Sequence, residues 1–175
     1  MKQILALLLS TIVLVSACKK PETVSEKPEK AEITNDTAGN YKTVEAICEK
    51  HLAAMSNFDT VALAHLLNDS VQYIGTDPSE IWGKAQIITY MHNADKPGRE
   101  PLKLTLVSRN IKVLSGTSVV VTEHLINESL SKTIQSRITY LVNYSDCQWT
   151  ITYVCWSLAP KNEDLKAIDK AVKVL

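Results

Sequence analysis

Residues 102–158 constrain this chain more than any other stretch, because five segments rich in Val, Ile, Leu, Thr and Tyr follow one another there with little between them. The segments cover 102–107, 111–114, 118–127, 132–144 and 148–158, with Ser115-Gly116 turning the chain before the third. Successive side chains of a strand point to opposite faces, so such largely alternating runs predict an antiparallel sheet joined by hairpins, one face buried and one wet. Which face each side chain takes depends on the turn around Tyr144-Ser145-Asp146-Cys147. A two-residue loop sets Arg137 opposite the Cys155 face, and a three-residue loop puts them on the same face.

Helices precede the sheet. Val44, Ile47, Cys48, Leu52 and Met55 recur at spacings of three and four, which predicts an amphipathic helix over 41–55. Asp59 stands before Val61, Ala62, Leu63, Leu66 and Leu67, the place of an N-cap for a second, short helix. A short strand through Val71, Tyr73 and Ile74 ends at Gly75-Thr76-Asp77-Pro78. Trp82-Gly83 then open a third helix over 84–93 with Ile87, Ile88 and Met91 inward, stopped by Pro97-Gly98. At the end, Asn162 caps a helix with Glu163 and Asp164 in its first turn and Leu165, Ile168, Val172 and Leu175 on one stripe. Helices first and a curved sheet after make an α+β fold, and 175 residues with 45% apolar content suffice for one domain. Helices against a strongly bent sheet leave a cone with an opening.

The start of the chain carries an address. Met1-Lys2, an apolar run over 4–15, and Ser16-Ala17-Cys18 read as a secretory signal; the run falls short of the roughly 18 residues that span a bilayer. Leu14-Val15-Ser16-Ala17-Cys18 resembles the lipobox of bacterial lipoproteins. That resemblance implies cleavage after residue 17, lipid on Cys18, and a membrane partner held through more than one acyl chain. Lys19, in place of the Asp that retains such proteins at the inner membrane, implies the outer membrane, facing the periplasm. Residues 18–40, rich in Lys, Glu, Pro and Thr, read as a flexible tether, leaving 41–175 as the domain.

Two separated motifs suggest a family. Val71-Gln72-Tyr73-Ile74-Gly75-Thr76-Asp77-Pro78-Ser79-Glu80-Ile81-Trp82-Gly83-Lys84 and, later, Arg137-Ile138-Thr139-Tyr140-Leu141, Trp149-Thr150-Ile151 and Trp156-Ser157-Leu158-Ala159-Pro160-Lys161-Asn162-Glu163-Asp164-Leu165 resemble SnoaL-like domains of the nuclear transport factor 2-like superfamily. The resemblance covers about 41–175 and implies a cone-shaped fold, a pocket at the cone mouth, and a homodimer through the exposed side of the sheet. It favours the three-residue loop. It does not select among the isomerases, cyclases, dehydratases and binding or assembly modules that share the fold. Relatives often carry a His where this chain has Cys155, which argues against His-dependent pocket chemistry here.

The residues expected at the pocket are Tyr73, Asp77, Trp82, Tyr90, His124, Arg137 and Cys155. An inward Arg137 needs an anion, either Asp77 or Glu80 of the protein or the carboxylate of a ligand. Asp77 is the candidate base for acid-base chemistry with Tyr73 as donor, yet it also belongs to a turn whose Asp commonly caps its own backbone. Cys147 and Cys155 lie eight residues apart on one strand, about 26 Å when extended, so they cannot bond to one another. A bridge from Cys48 to either remains open beside the reading that they are free thiols in the core. Cys48 with His51 and His92 with Asp95 supply two ligands each, short of a metal site. His51 and His65 read as boundary histidines. No Walker loop, Rossmann fingerprint, nucleophile elbow or His-Glu-x-x-His occurs, so no cofactor is expected. With 19 basic against 19 acidic residues, nothing points to nucleic acid. The expected function is an envelope lipoprotein whose domain binds a small, partly apolar or anionic molecule or serves assembly, with a small isomerase, cyclase or dehydratase using Asp77 as the alternative.

Overall fold

The computed structural model describes residues 37–172, so the leader, Cys18, the tether up to residue 36 and Leu175 lie outside the described residues. The elements are α1 (Thr37–Asn57), α2 (Thr60–Leu66), β1 (Leu67–Ile74), β2 (Ile81–Trp82), α3 (Lys84–Ala94), β3 (Leu104–Ser115), β4 (Ser118–Asn127), β5 (Gln135–Ser145), β6 (Gln148–Ala159) and α4 (Leu165–Val172). α1 begins at Thr37, so residues 37–40, expected in the tether, are helical. Its buried stripe is Val44, Ile47, Cys48, His51 and Met55, at the spacing that puts side chains on one helix face. It ends where Phe58 turns left-handed at φ 57°, and Asp59 N–H reaches back to the Ala54 carbonyl at 2.9 Å. Asp59 then caps α2 as expected, its Oδ1 accepting from Ala62 N–H at 2.9 Å. Near the C-terminus, Asn162 is not the cap: it opens a short 3₁₀ turn, Asn162–Asp164, ahead of α4.

The six strands form one sheet in the order β2-β1-β6-β5-β4-β3. β3 to β6 are an antiparallel meander, but β1 runs parallel to β6. Hairpins make only consecutive strands antiparallel, and the chain leaving β1 passes through α3 and the whole meander before it returns beside it. The expected segments 102–107 and 111–114 are one strand, β3. The helices supply the inner layer, and Val119, Val121, Leu125, Ile138, Tyr140, Val142 and Val154 face them with no exposed surface.

Two irregularities set what the sheet presents. On β3 the pairing passes from Leu106 opposite Leu125 to Ser108 opposite His124, so Val107 is an extra residue. Before it the inward positions are even-numbered; after it Arg109, Ile111 and Val113 point inward. On β6 Thr152 is the extra residue: Leu141 pairs with Tyr153 and Val142 with Ile151. Its hydroxyl takes a hydrogen bond from Asn143 Nδ2 at 2.8 Å, which occupies the gap in the ladder. The turn between β5 and β6 is Asp146-Cys147, with φ 50° and 62°, the left-handed pair of a two-residue hairpin. The three-residue loop favoured by resemblance is therefore corrected. Its consequence for Arg137 nevertheless holds, because the bulge at Thr152 restores the phase: Arg137 pairs with Ser157 and Thr139 with Cys155, so Arg137 and Cys155 share one face, the outer one, despite the short turn.

Candidate functional site

A cavity of about 230 Å³ opens at the end of the sheet where α1, α3 and the β1-β2 turn meet. Met55 and Phe58 from the end of α1, Ile87, Met91 and Ala94 from α3, and Leu102 and Leu130 from the loops form apolar walls. Trp82 and Tyr90 stack on one another at 4.7 Å between ring centres and form one side of the mouth, where Tyr90 is 48% exposed. Polar groups are few. Tyr73 and Trp156 lie at the buried end, Asn127 at the end of β4, Glu80 in the β1-β2 turn, and Arg99 holds its guanidinium 4.4 Å over the Phe58 ring.

Behind the buried end runs a chain of hydrogen bonds through the core. Trp156 Nε1–H donates to Tyr73 Oη at 2.8 Å, and Tyr73 Oη lies 3.3 Å from His51 Nε2 and 3.4 Å from Met55 Sδ. His51 Nδ1 lies 3.1 Å from Tyr140 Oη, and Tyr140 donates to Glu123 Oε2 at 3.0 Å. Arg109 Nε–H donates to the other oxygen, Glu123 Oε1, at 2.7 Å. Arg109 then meets Glu45 at 3.2 Å and Glu49 at 3.3 Å on α1. His51 and Glu123 have no exposed surface, so every partner in this chain matters: a buried polar group left without one costs about 1–3 kcal/mol.

The environment sets the charges. Burial pushes the His51 imidazole down from 6.5 to about 3, so it is neutral. Burial raises the Tyr140 phenol well above its ordinary 10, helped by the Glu123 charge. Tyr73 is raised by burial against the opposing Trp156 hydrogen bond. The Cys48 thiol, beside the same carboxylate, is pushed up to about 12, by burial first and by Glu123 second. Burial works against the Arg109 charge, but the hydrogen bond and charge of Glu123 outweigh it and raise its pKa.

Of the residues expected at the pocket, the structure brings Tyr73, Trp82 and Tyr90 to the cavity. Asp77 is not among its lining: it is exposed in the β1-β2 turn, where its Oδ1 accepts from the Ser79 hydroxyl and from Ser79 N–H at 2.8 Å. Those bonds, the hydroxyl foremost, hold its carboxyl below the usual range, the reverse of a base tuned for catalysis. His124, Arg137 and Cys155 sit on the outer face of the sheet, the phase opposite to Glu123, Ile138 and Trp156. Arg137 finds neither Asp77 nor Glu80 but donates its Nε–H to His124 Nε2 at 3.0 Å. Cys48 and Cys155 are free thiols, the first buried and the second half-buried, so Cys48 forms no bridge. Among the described residues no group of three or more His, Cys, Asp and Glu could hold a metal.

Sequence reasoning missed His51, Arg109, Glu123, Tyr140, Trp156 and Arg99 as site residues. Signals for some were present. His51 falls in phase with Val44, Cys48 and Met55 on the inward helix stripe, and Glu123 in phase with Val119, Val121 and Leu125 on β4. The inward position of Arg109 shows only as a change of phase between Leu102-Leu104-Leu106 and Ile111-Val113.

A family model described as a SnoaL-like domain matches residues 44–160. No curated protein matches the chain. Among solved structures it is similar to an NTF2-like protein of Cytophaga hutchinsonii (17% identity, 68% of this chain and 98% of that one, TM-score 0.56). It is likewise similar to an NTF2-like protein of unknown function from Pseudomonas putida (14%, 73% and 91%, TM-score 0.59). A third is a provisionally named scytalone dehydratase of Novosphingobium aromaticivorans (11%, 71% and 87%, TM-score 0.59). At such identities these similarities speak for the fold alone.

Proposed function

The chain belongs to the SnoaL-like domain family, and from that premise we propose that it binds a small, flat, largely apolar molecule in the cavity above Tyr73 and Trp156. The observation that carries this is the lining: apolar walls and a stacked aromatic pair around a handful of polar groups, the usual make-up of a small-molecule site. At about 230 Å³ the space lies below the roughly 300 Å³ where drug-sized pockets begin, which suits one or two fused rings. Arg99 at the wall suits a ligand with an anionic or carbonyl edge. The alternative of proton transfer at Asp77 lacks support, since that carboxylate is exposed and already engaged by Ser79.

The reading includes an address and a partner. Residues 1–18 support cleavage before Cys18 and lipid attachment there, which would hold the domain at the outer membrane facing the periplasm. The outer face of the sheet, with His124 and Arg137, is the surface for a second copy.

Native mass spectrometry of the full chain, extracted from the envelope in mild detergent, tests the binding role. The expected result is a retained small molecule that is lost in Trp82→Ala. An empty cavity in the wild type, with no thermal shift from any member of a library of fused-ring aromatics, would sink it.

A further inference from the structure

Three polar side chains on the cavity wall keep hydrogen-bonding capacity that the protein itself does not use. Asn127 is 7% exposed, follows Leu125 in the inward phase of β4, and lines the cavity. Its Oδ1 accepts from Ser129 N–H at 3.1 Å, which fixes the amide with its N–H₂ turned the other way. That nitrogen donates to no group among the described residues. It is not sealed off either, since the side-chain atoms there that are both buried and unpartnered are Arg109 Nη2 and Ser136 Oγ. Its open side is therefore the cavity. Glu80 lines the same cavity from the β1-β2 turn: Oε2 accepts from Asp77 N–H at 3.0 Å, while Oε1 accepts from none of the described residues and is likewise unsealed. The carboxylate lies against Gly75, where a Cβ would collide with it, so glycine at that position lets the acid lie on the wall. Arg99 donates Nη1–H to the Ala94 carbonyl at 2.6 Å and forms no ion pair among the described residues, with Glu80 or any other acid.

Donors and acceptor stand at different ends. Leu102 N–H bonds to the Ser56 carbonyl at 2.8 Å and Glu128 N–H to the Lys103 carbonyl at 3.2 Å, which ties the segment after Arg99 to the end of α1 and to the end of β4 beside Asn127. Glu80 follows β1, three places from β4 in the sheet, about 14 Å at the usual spacing of strands. An anion alone would suit the Arg99 end and be repelled by Glu80, and a cation alone would meet the reverse. Both ends are satisfied together by a ligand with an acceptor at one end and a donor at the other. We propose that the cavity takes a flat aromatic acid that carries a hydroxyl or N–H at its far end. Its carboxylate accepts from Asn127 Nδ2–H and from the Arg99 guanidinium, its ring packs on the apolar walls, and its far donor gives a hydrogen bond to Glu80 Oε1. This rests on the binding reading above and names its ligand class.

The test uses the full chain and three naphthalenes of nearly equal size, with affinities read by calorimetry at pH 7. 6-Hydroxy-2-naphthoate has both ends, 2-naphthoate only the acid and 2-naphthol only the donor. Asn127→Asp keeps the bond from Ser129 N–H but turns a carboxylate oxygen to the cavity in place of the N–H₂. Glu80→Gln keeps an oxygen for Asp77 N–H but presents an N–H₂ in place of Oε1. The wild type is expected to bind 6-hydroxy-2-naphthoate tightest. Asn127→Asp should weaken both acids by about tenfold or more and 2-naphthol by less than about threefold. Glu80→Gln should weaken both hydroxyl-bearing probes by about tenfold and leave 2-naphthoate bound at least as well as before. Variants that move all three probes alike, or that move none, overturn the proposal. Failure of all three to bind the wild type also overturns it, and the fused-ring library then separates two outcomes: a hit there leaves the binding reading standing, whereas no hit and an empty cavity bring both down. Should Asn127→Asp fail to fold, Arg99→Leu should weaken the two acids and spare 2-naphthol, and acids that bind it as tightly as the wild type overturn the proposal.

Discussion

Acid should unfold this domain through one histidine. His51 has its ordinary value of 6.5 in the unfolded chain and about 3 in the folded protein, because the buried ring cannot be solvated as an imidazolium. Between those values the unfolded state binds a proton that the folded state does not, so stability falls as pH falls. The effect is absent above about pH 6.5 and grows by about 1.4 kcal/mol for each pH unit below it. By pH 5 the loss is about 2 kcal/mol, a sizeable share of the 5–15 kcal/mol that holds typical domains together. Carboxylates also titrate in acid, so the measurement is a difference. Urea unfolding is followed at pH 7 and pH 5 for the wild type and for His51→Gln, whose amide can bond to both tyrosines and does not titrate. With a slope of about 1–3 kcal/mol per molar urea, the wild-type midpoint should fall by roughly 1 M more than that of the variant. Equal shifts in the two proteins would refute the argument, since they would mean that the buried ring gains its proton without unfolding.

Removing the hydroxyl in Tyr140→Phe leaves a buried carboxylate oxygen and a buried N–H short of partners and should cost about 2–4 kcal/mol. Tyr73→Phe, which disturbs only neutral groups, should cost about half that. Denaturant midpoints at constant slope decide the order. Arg109→Met leaves Glu123 without its cation and should destabilise by about 3–5 kcal/mol, with part of the loss recovered when Glu123 is also made apolar, as a double-mutant cycle would read. Cys48, its thiol pushed up to about 12, should resist alkylation at pH 8 in the folded protein and react at once in urea, by mass of the labelled peptide. Asp77→Asn should leave both the unfolding midpoint and ligand retention unchanged, because its carboxylate serves only an exposed turn.

The sequence by itself determined the elements and their class, through information that is local. The three- and four-residue spacing through Val44 and Met55 specifies a helix, Asp59 its successor's cap, and the alternation from Ser118 to Asn127 a strand with one buried face. It also brought Tyr73, Trp82 and Tyr90 to the cavity, since they lie close along the chain beside a turn. The tertiary structure decided the facing of the rest. An extra residue at Val107 turns Arg109 inward, and another at Thr152 carries Cys155 to the same outer face as Arg137, where the two-residue turn alone would not have put it. Each bulge shifts the phase of everything beyond it, and its position depends on the neighbouring strand as much as on its own residues. The polar chain is further still from local reading. It joins residues 51, 73, 109, 123, 140 and 156, from α1 and five strands, and each buried polar side chain is tolerable only because the others are there.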